Sequence, residues 1–217
     1  MIFSHRKQAG EQLAGRLAAF ANRTDVIVLA LIPGGVPVGF EISRNLNLDF
    51  DILPLFKFYS PYNTDSAFGA VSLGDVCYIE NSLVRKLDVF ESRIVHLKNE
   101  AKYELDKLNC LYRNNKPWVN LEDKIVIIAD DGTCSEEDIY FSTKIISKHD
   151  PKGIIIASPI ITSSLYDTFE ETIENIIFIA ESNEENNIDN CYQEFSNVSD
   201  NEVNLLFERS NYNKLMN

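Results

Sequence analysis

A short apolar run that ends in two aspartates constrains the fold of this chain more than any other segment. Residues 124–129 read Lys-Ile-Val-Ile-Ile-Ala, and Asp130, Asp131 and Gly132 follow directly. A run of this length, rich in β-branched side chains and bounded by a turn signal, predicts a buried strand. A helix pattern begins a few residues later, so the segment predicts a strand, an acidic turn and then a helix.

Strand and helix patterns alternate along most of the chain. Apolar runs predict strands at 26–31, 51–57, 153–157 and 176–180, and three- or four-residue spacing predicts helices at 6–21, 38–46, 83–111, 136–148 and 199–209. Such alternation predicts βαβ units, hence an α/β fold with a mostly parallel twisted sheet flanked by helices. Residues 58–66 are predicted as an exposed loop, and 67–73 with 76–79 as a flexible hairpin. Pro54 marks 51–57 as an edge strand or a bulged one.

Composition excludes several classes of function. The 217 residues suit one domain, and no apolar run approaches the roughly 20 residues of a membrane span. The net charge is −13 without a basic stripe, which excludes nucleic acid as an expected partner. The first 20 residues lack the pattern of a signal peptide, so we expect a cytoplasmic protein. The four cysteines and three histidines are scattered, so no direct metal site is predicted.

The acidic turn has the chemistry of a sugar-phosphate site. In open α/β sheets, ligands bind outside the carboxyl ends of the strands. The carboxylates of Asp130 and Asp131 can accept hydrogen bonds from vicinal ribose hydroxyls. The N-terminus of the next helix offers N–H groups and a positive dipole end to a phosphate.

The segment 125–132 resembles the phosphoribosyl-pyrophosphate (PRPP) motif of type I phosphoribosyltransferases, which is an apolar strand, two acidic residues and a loop. Other segments look like one branch of bacterial predicted phosphoribosyltransferases. These are Phe3, Arg6, Ala9-Gly10, Leu13-Ala14, Gly34–Gly39, Lys57, Gly69–Val71, Tyr112-Arg113, Tyr192, Phe195, Val198, Asp200, Glu202 and Val203. None is specific alone, and their joint order carries the resemblance.

The resemblance implies a fold, a reaction and a set of site residues. It implies one type I phosphoribosyltransferase-like domain over 1–217, with a small hood from about 1–22 and 181–217. Asp130 and Asp131 would be the catalytic ribose contacts. The 5′-phosphate would lie on Gly132, Thr133, Cys134, Ser135, Glu136, Glu137 and Asp138. The pyrophosphate loop would comprise Pro33, Gly34 and Gly35, with Lys57 nearby.

The resemblance also implies ligands and assembly. Magnesium would arrive with PRPP, with Asp130 and Asp131 as its candidate contacts, and the reaction would be displacement at the anomeric carbon of ribose. The partner would be a small ribose phosphate or nucleotide, and the chain would form a homodimer. The acceptor base is not indicated.

Two loops depart from the family pattern. The family's phosphate loop usually continues as Thr-Gly-x-Thr, where this chain has Ser135–Asp138, and Pro33 stands where the family has arginine. Two unit charges about 4 Å apart repel by about 4 kcal/mol at an effective dielectric constant near 20, so three added carboxylates oppose a phosphate. The same residues have a structural interpretation, because Ser135 and Asp138 have capping-box spacing at the start of a helix.

Three functional hypotheses remain open at this point. The first is a phosphoribosyltransferase whose transfer is impaired. The second is an inactive pseudoenzyme that binds a nucleotide or sugar phosphate, or acts as a regulatory module. The third is a phosphatase of the haloacid-dehalogenase type, which matches poorly because Ala129 would stand at the nucleophile position. Cys134 is either a reactive thiol, if the helix end lowers its pKa, or a small packing residue.

Overall fold

Five parallel strands form the central sheet, in the order β2-β1-β6-β7-β9. The computed structural model describes residues 3–61, 63–74, 76–163, 165, 176–182 and 188–215. Residue 75 of the predicted hairpin turn, and residues 1–2, 183–187 and 216–217 of the predicted hood, lie outside the described residues. The strands are β1 (Val26–Leu31), β2 (Asp49–Leu53), β3 (Phe56–Ser60), β4 (Asn63–Val71), β5 (Cys77–Ile79), β6 (Ile125–Ala129), β7 (Gly153–Ala157), β8 (Ile160–Thr162), β9 (Ile176–Ile177) and β10 (Ala180–Ser182). The helices are α1 (Arg6–Arg16), α2 (Gly35–Leu46), α3 (Asn81–Lys86), α4 (Glu91–Arg113), α5 (Glu136–Ser147) and α6 (Asp200–Leu215).

The central sheet is covered on both faces, which explains why its inner strands β1, β6 and β7 carry no charged residue. Ile127 and Ala129 of β6 face one core cluster with α1, α2 and α6. Val126 and Ile128 face a second cluster with α5. The α/β fold with a mostly parallel sheet is therefore confirmed, as are β1, β6, β7 and α5 as predicted elements.

Small residues bring the start of α2 close to the end of β6. Ala129 lies in register between Ala30 and Ala157 on the two neighbouring strands. A side chain on Gly39 would place its Cβ 2.9 Å from the Cβ of Ala30 and 3.2 Å from that of Ala129. The β1–α2 loop is thereby held beside the acidic turn.

The predicted strand at 51–57 and the predicted loop at 58–66 are both wrong. Strand β2 ends at Leu53, and β3 starts a separate antiparallel sheet, β3-β4-β5. Pro54 breaks the strand between the two sheets. Most of the supposed loop instead belongs to the paired ends of β3 and β4, which form a hairpin. Phe58 on β3 and Phe68 on β4 are buried in a cluster with α4. The predicted pairing of 67–73 with 76–79 is confirmed by β4 and β5.

Three other boundaries differ from the prediction. The helix predicted over 83–111 is two helices, since Asp88 adopts a left-handed φ of 49° between them. The strand predicted at 176–180 divides into β9 in the central sheet and β10, which pairs with β8. The first helix ends at Arg16 and a 3-10 turn follows over Ala18–Phe20. Apolar spacing continues across these breaks, so it cannot reveal them.

Chain ends meet at the carboxyl edge of the sheet. Phe3 forms a parallel bridge with Tyr192, and α1 packs closely on α2 because Gly10 has no side chain. Among the described helices, none combines the length and the apolar character needed to cross a membrane.

Candidate functional site

Asp130 lies at the end of β6 and is 3% exposed. Its Oδ2 accepts hydrogen bonds from the backbone N–H groups of Gly132 (2.6 Å) and Cys134 (3.3 Å). Gly132 has a φ of +99°, a conformation that a residue with a side chain rarely adopts, so the turn requires glycine. Among the described residues, Oδ1 of Asp130 has no hydrogen-bond partner. One buried acceptor of this turn therefore lacks a described hydrogen-bond partner.

The environment of Asp130 favours its protonated form. Burial is the main cause and the neighbouring carboxylate of Asp131 is the second, and together they raise the pKa of Asp130 to about 7. Burial and the Asp130 carboxylate likewise raise the pKa of the Cys134 thiol well above its ordinary value. The interpretation of Cys134 as a reactive thiol is therefore wrong, since the protonated thiol is the poor nucleophile.

Asp131 is held by its own turn and by residues from both chain ends. Its Oδ2 lies 2.8 Å from Nε of Arg6, and its Oδ1 accepts from the backbone N–H (3.1 Å) and hydroxyl (2.6 Å) of Thr133. Its carbonyl oxygen accepts from the hydroxyl of Tyr192 at 2.8 Å. The Arg6 guanidinium lies 3.9 Å from the ring centre of Phe195. The side chain of Asp131 is thus fully engaged within the protein.

A capping box starts helix α5, which confirms the structural interpretation of Ser135 and Asp138. The Ser135 hydroxyl accepts from the Asp138 N–H at 3.2 Å, and the Asp138 carboxylate accepts from the Ser135 N–H at 3.1 Å. The N–H groups of Gly132, Thr133, Cys134 and Ser135 all donate to aspartate side chains of this turn. Carboxylates of the chain itself therefore occupy the donors that an anion would use.

Lys57 lies against the same loop and compensates part of its negative charge. Its Nζ lies 2.9 Å from Asp138 and 3.9 Å from Glu137. Burial is the largest single effect and opposes the charge on Lys57, but the hydrogen bond to Asp138, the charge of Asp138 and the hydroxyl of Tyr59 together outweigh it, so the pKa of Lys57 is raised. Glu137 also accepts from the N–H of Ala67 on β4 at 2.9 Å. The hairpin sheet is thereby tied to the acidic loop.

The loop over 33–35 packs behind Asp131. A side chain on Gly34 would collide with the Asp131 carboxylate, and one on Gly35 would collide with the carbonyl oxygen of Ala129. Pro33 contributes no charge to this loop. The predicted pyrophosphate loop therefore lies next to the acidic turn, as the α/β topology requires.

A cavity of about 570 Å³ opens beside these residues. One wall is polar and comprises Lys57, Asp130 and the loop from 132 to 137. The remaining lining is mainly apolar and includes Ile156, Ile160, Ile161, Leu165, Ile176 and Ile188, together with Ser158. Asp131 and residues 33–35 are not part of its described lining.

Sequence reasoning missed three contributors to this site. Arg6 and Tyr192 were noted only as signature residues, and Ser158 was not noted at all. The Ser158 hydroxyl lies 3.4 Å from Oδ2 of Asp130. Arg6 and Asp131 are 125 residues apart, so no local pattern could pair them. Ser158 follows strand β7, and its position at a strand end was the available signal.

Among the described residues, no cluster of three or more His, Cys, Asp or Glu side chains could hold a metal ion. Magnesium is usually held by one or two carboxylates together with substrate phosphates. The unpartnered oxygen of Asp130 fits that requirement for a substrate-borne ion.

Comparison with known proteins identifies relatives. No protein-family model matches the chain. A protein of Mycobacterium tuberculosis strain H37Rv, named "Putative phosphoribosyl transferase", is 26% identical over 209 residues. The alignment covers 96% of this chain and 47% of that protein, so the chain spans about half the length of the curated relatives it matches.

Comparison with solved structures supports the same fold. The crystal structure of TT1426 from Thermus thermophilus superposes with a TM-score of 0.85 at 22% identity, covering 96% of this chain and 99% of that one. A hypoxanthine phosphoribosyltransferase from Staphylococcus aureus gives a TM-score of 0.51 at 9% identity, covering 82% and 72%. Taken together, these likenesses show that the chain has the fold of the type I phosphoribosyltransferases, and that it is similar in sequence to a protein named as a phosphoribosyl transferase.

Proposed function

We propose that the chain binds PRPP in the cavity beside β6 and transfers its phosphoribosyl group to a nitrogenous base with impaired efficiency. The observation that carries this proposal is that Asp130, whose buried Oδ1 has no described partner, lines a cavity together with Lys57 and the 132–137 loop. A carboxylate acceptor, a cation and a turn of backbone N–H groups are the elements that a ribose phosphate requires.

The two aspartates have different roles in this proposal. Asp130 accepts a hydrogen bond from a ribose hydroxyl through Oδ1. Asp131 is oriented by Arg6 and contributes to the negative field of the site. Magnesium bound to PRPP would offset the charge of the pyrophosphate, and Asp130 is the residue that would contact it.

The transfer is a displacement at one carbon. The lone pair of an acceptor nitrogen forms a bond to the anomeric carbon while the bond from that carbon to pyrophosphate breaks. The electron pair leaves with pyrophosphate, and the proton on the acceptor nitrogen is lost to solvent or to a site base. The residues described above position the ribose and balance charge, and none of them needs to act as a nucleophile.

Two loops, at 132–138 and 33–35, account for the impaired transfer in this proposal. A phosphate on the 132–135 turn must displace the Asp138 carboxylate from the Ser135 N–H. It must also approach Glu136 and Glu137, which line the cavity. Pro33 leaves the pyrophosphate loop without its cation. We therefore expect PRPP to bind weakly.

The second candidate is a pseudoenzyme that binds a ribose phosphate or nucleotide without transfer. The hydrogen bonds of the 132–135 turn favour this pseudoenzyme, because the N–H groups that would bind a phosphate donate to carboxylates of the chain instead. Both candidates use Asp130, and they differ in whether pyrophosphate is released. The homodimer stays a prediction.

Titration calorimetry with PRPP, with and without magnesium, tests the binding step. We expect magnesium-dependent heat in the wild type and its loss in Asp130→Asn. A revertant carrying Pro33→Arg, Ser135→Thr, Glu136→Gly, Glu137→Ala and Asp138→Thr should bind PRPP at least tenfold more tightly. Exposed Lys107→Gln is the matched control and should leave the heat unchanged.

Two outcomes would contradict or redirect the proposal. No PRPP binding by either the folded wild type or the revertant would overturn the site assignment. Binding without pyrophosphate release in the presence of adenine, hypoxanthine, guanine or uracil would favour the pseudoenzyme. Pyrophosphate release with one of these bases would identify the acceptor.

A further inference from the structure

The protein uses only part of the hydrogen-bonding capacity of the Arg6 guanidinium. Nε and Nη2 lie on the same edge of an arginine, and in Arg113 both donate to the carboxylate of Asp51. In Arg6, Nε donates to Oδ2 of Asp131 at 2.8 Å, and Nη1 donates to the carbonyl oxygen of Ser196 at 2.7 Å. Among the described residues, no acceptor contacts Nη2 of Arg6. This edge therefore has one donor to offer a ligand beside Asp131.

The second oxygen of Asp131 is engaged elsewhere, which explains why Nη2 is not used. Oδ1 accepts from the backbone N–H of Thr133 at 3.1 Å and from its hydroxyl at 2.6 Å. The pair of Arg6 and Asp131 is thus joined by a single bond, whereas a planar guanidinium can make two parallel bonds to one carboxylate. The remaining donor is a consequence of how the acidic turn is built.

Aromatic rings hold the Arg6 side chain in place. Its guanidinium carbon lies 3.9 Å from the ring centre of Phe195, and that ring stacks on Tyr192 at 4.7 Å. The hydroxyl of Tyr192 in turn donates to the carbonyl oxygen of Asp131. The Arg6 side chain is 12% exposed, so its charge is largely removed from water. A cation that is already held in one position loses little conformational entropy when it binds a ligand.

The carboxylate of Asp131 also places Arg6 beside the predicted pyrophosphate loop. Oδ2 of Asp131 accepts from Arg6, and the same oxygen is the nearest atom that a side chain on Gly34 would meet. The segment 33–35 contains no basic residue. Arg6 therefore brings a positive charge, from helix α1, to a loop that has none of its own.

We propose that Arg6 is the cation that binds the pyrophosphate of PRPP in this chain, an inference that rests on the proposed function. Nη2 donates to a pyrophosphate oxygen while Nε stays on Asp131. Arg6 thereby replaces the loop arginine at whose position Pro33 stands. Negative charge develops on pyrophosphate as its bond to the anomeric carbon breaks, and a fixed cation at that position stabilises it. Lys57 does not serve this role, because it is paired with Asp138.

Calorimetry with two ligands tests the contact with pyrophosphate. Ribose 5-phosphate has the ribose and the 5′-phosphate of PRPP but lacks its pyrophosphate, and both ligands are titrated with saturating magnesium. Arg6→Gln should weaken PRPP binding at least tenfold more than ribose 5-phosphate binding, as expected for one hydrogen bond to a charged group. Equal losses for the two ligands would show that Arg6 acts only through Asp131. That result would overturn the inference and leave the proposed function intact.

A second comparison removes the effect of an uncompensated carboxylate. Asp131→Asn is compared with the double variant Asp131→Asn and Arg6→Gln, so that neither protein has an unpaired acid at position 131. The double variant should still lose at least tenfold more affinity for PRPP than for ribose 5-phosphate. If Arg6→Gln does not fold, Arg6→Lys keeps the charge without the second donor edge and should show a PRPP-specific loss of about threefold. No PRPP-specific loss in these folded variants would overturn the inference.

Lys7→Gln is the matched control, because it removes a positive charge from the next residue of α1. The Lys7 side chain is 54% exposed and lies 3.9 Å from Glu11. Its loss should change the affinity for either ligand by less than about twofold, since exposed charges are screened. A loss equal to that of Arg6→Gln would mean that any nearby charge suffices, and would overturn the inference. Absence of PRPP binding in both the wild type and the five-residue revertant would instead overturn the proposed function, and this inference with it.

Discussion

Two of the arginine–aspartate pairs, Arg113–Asp51 and Arg6–Asp131, differ in how many of the arginine's N–H groups donate hydrogen bonds within the protein. Arg113 contacts Asp51 through two bonds of 2.8 Å, and its other three N–H groups donate to Asn109 Oδ1, Lys116 O and Pro117 O. Arg6 makes one bond to Asp131 and one to a backbone carbonyl. The first pair uses all five donors of its arginine.

This difference separates a structural pair from a pair at the site. The Asp51–Arg113 pair is closed, with about 2–3% of each side chain exposed. The Asp131–Arg6 pair adjoins Asp130, whose second oxygen has no described partner. Polar groups within a closed pair fix the fold, whereas an incomplete cluster leaves bonding capacity for a ligand.

Arg113→Met should have the largest effect on stability. It leaves Asp51 buried and uncompensated, so we expect a loss of about 3–5 kcal/mol in the free energy of unfolding, measured by urea denaturation. Arg23→Met, which breaks the exposed pair with Asp25, is the control and should change little. If Arg113→Met lowers the free energy of unfolding only slightly, the Asp51–Arg113 pair cannot be distinguished from the Asp131–Arg6 pair as the one that stabilises the fold.

Arg6→Gln should affect stability less and ligand binding more. We expect a loss of about 1.5–3 kcal/mol in unfolding free energy, typical of one hydrogen bond to a charged group. PRPP affinity should fall at least tenfold, because Asp131 then adds an uncompensated charge beside the ligand. If stability falls as far as in Arg113→Met with PRPP affinity unchanged, the Arg6 pair is structural too.

The Asp130 carboxyl should make stability depend on pH. Its pKa is about 7 in the folded protein and near 3.8 when unfolded, so between these values the folded state holds the extra proton. Stability from this group should therefore be fully present below about pH 4 and fall as pH rises from about 4 to about 7, by at most about 1.4 kcal/mol per pH unit. The difference in unfolding free energy between wild type and Asp130→Asn, measured across this range, isolates the effect. If the difference in unfolding free energy between the two proteins does not change with pH, the raised pKa of Asp130 is contradicted.

Ser135→Ala should have the smallest effect. It removes the hydroxyl that caps α5, so we expect a loss of about 1 kcal/mol in unfolding free energy. The loop N–H groups should become easier for an anion to reach, so PRPP affinity should not fall. Thermal unfolding and calorimetry measure the two quantities, and a marked loss of PRPP affinity would show that the hydroxyl itself contacts the ligand.

Sequence patterns predicted the parts of the fold that depend on local order. The buried strand β6, the acidic turn after it and the capping box at Ser135 each follow from a few adjacent residues. Strand β3 of the antiparallel sheet was missed because the burial of Phe58 depends on α4, which lies far along the chain.

The site itself required tertiary information. The resemblance placed Lys57 near the pyrophosphate loop, yet its Nζ lies within 4 Å of both Glu137 and Asp138 in the phosphate loop. The carboxylates of Asp130 and Asp131 looked equivalent in sequence, but Arg6 engages only one of them. The raised pKa of Asp130 depends on burial, which no motif encodes.

The glycines at 34 and 35 have an evolutionary consequence. Side chains there would strike Asp131 and Ala129, so both glycines are required for two loops to meet, whatever the chain binds. A neighbouring position that serves only to bind a ligand is not held in this way, whereas the packing of the two loops requires the glycines. Glycines in such signatures therefore record ancestry, and the charged positions beside them record the present ligand.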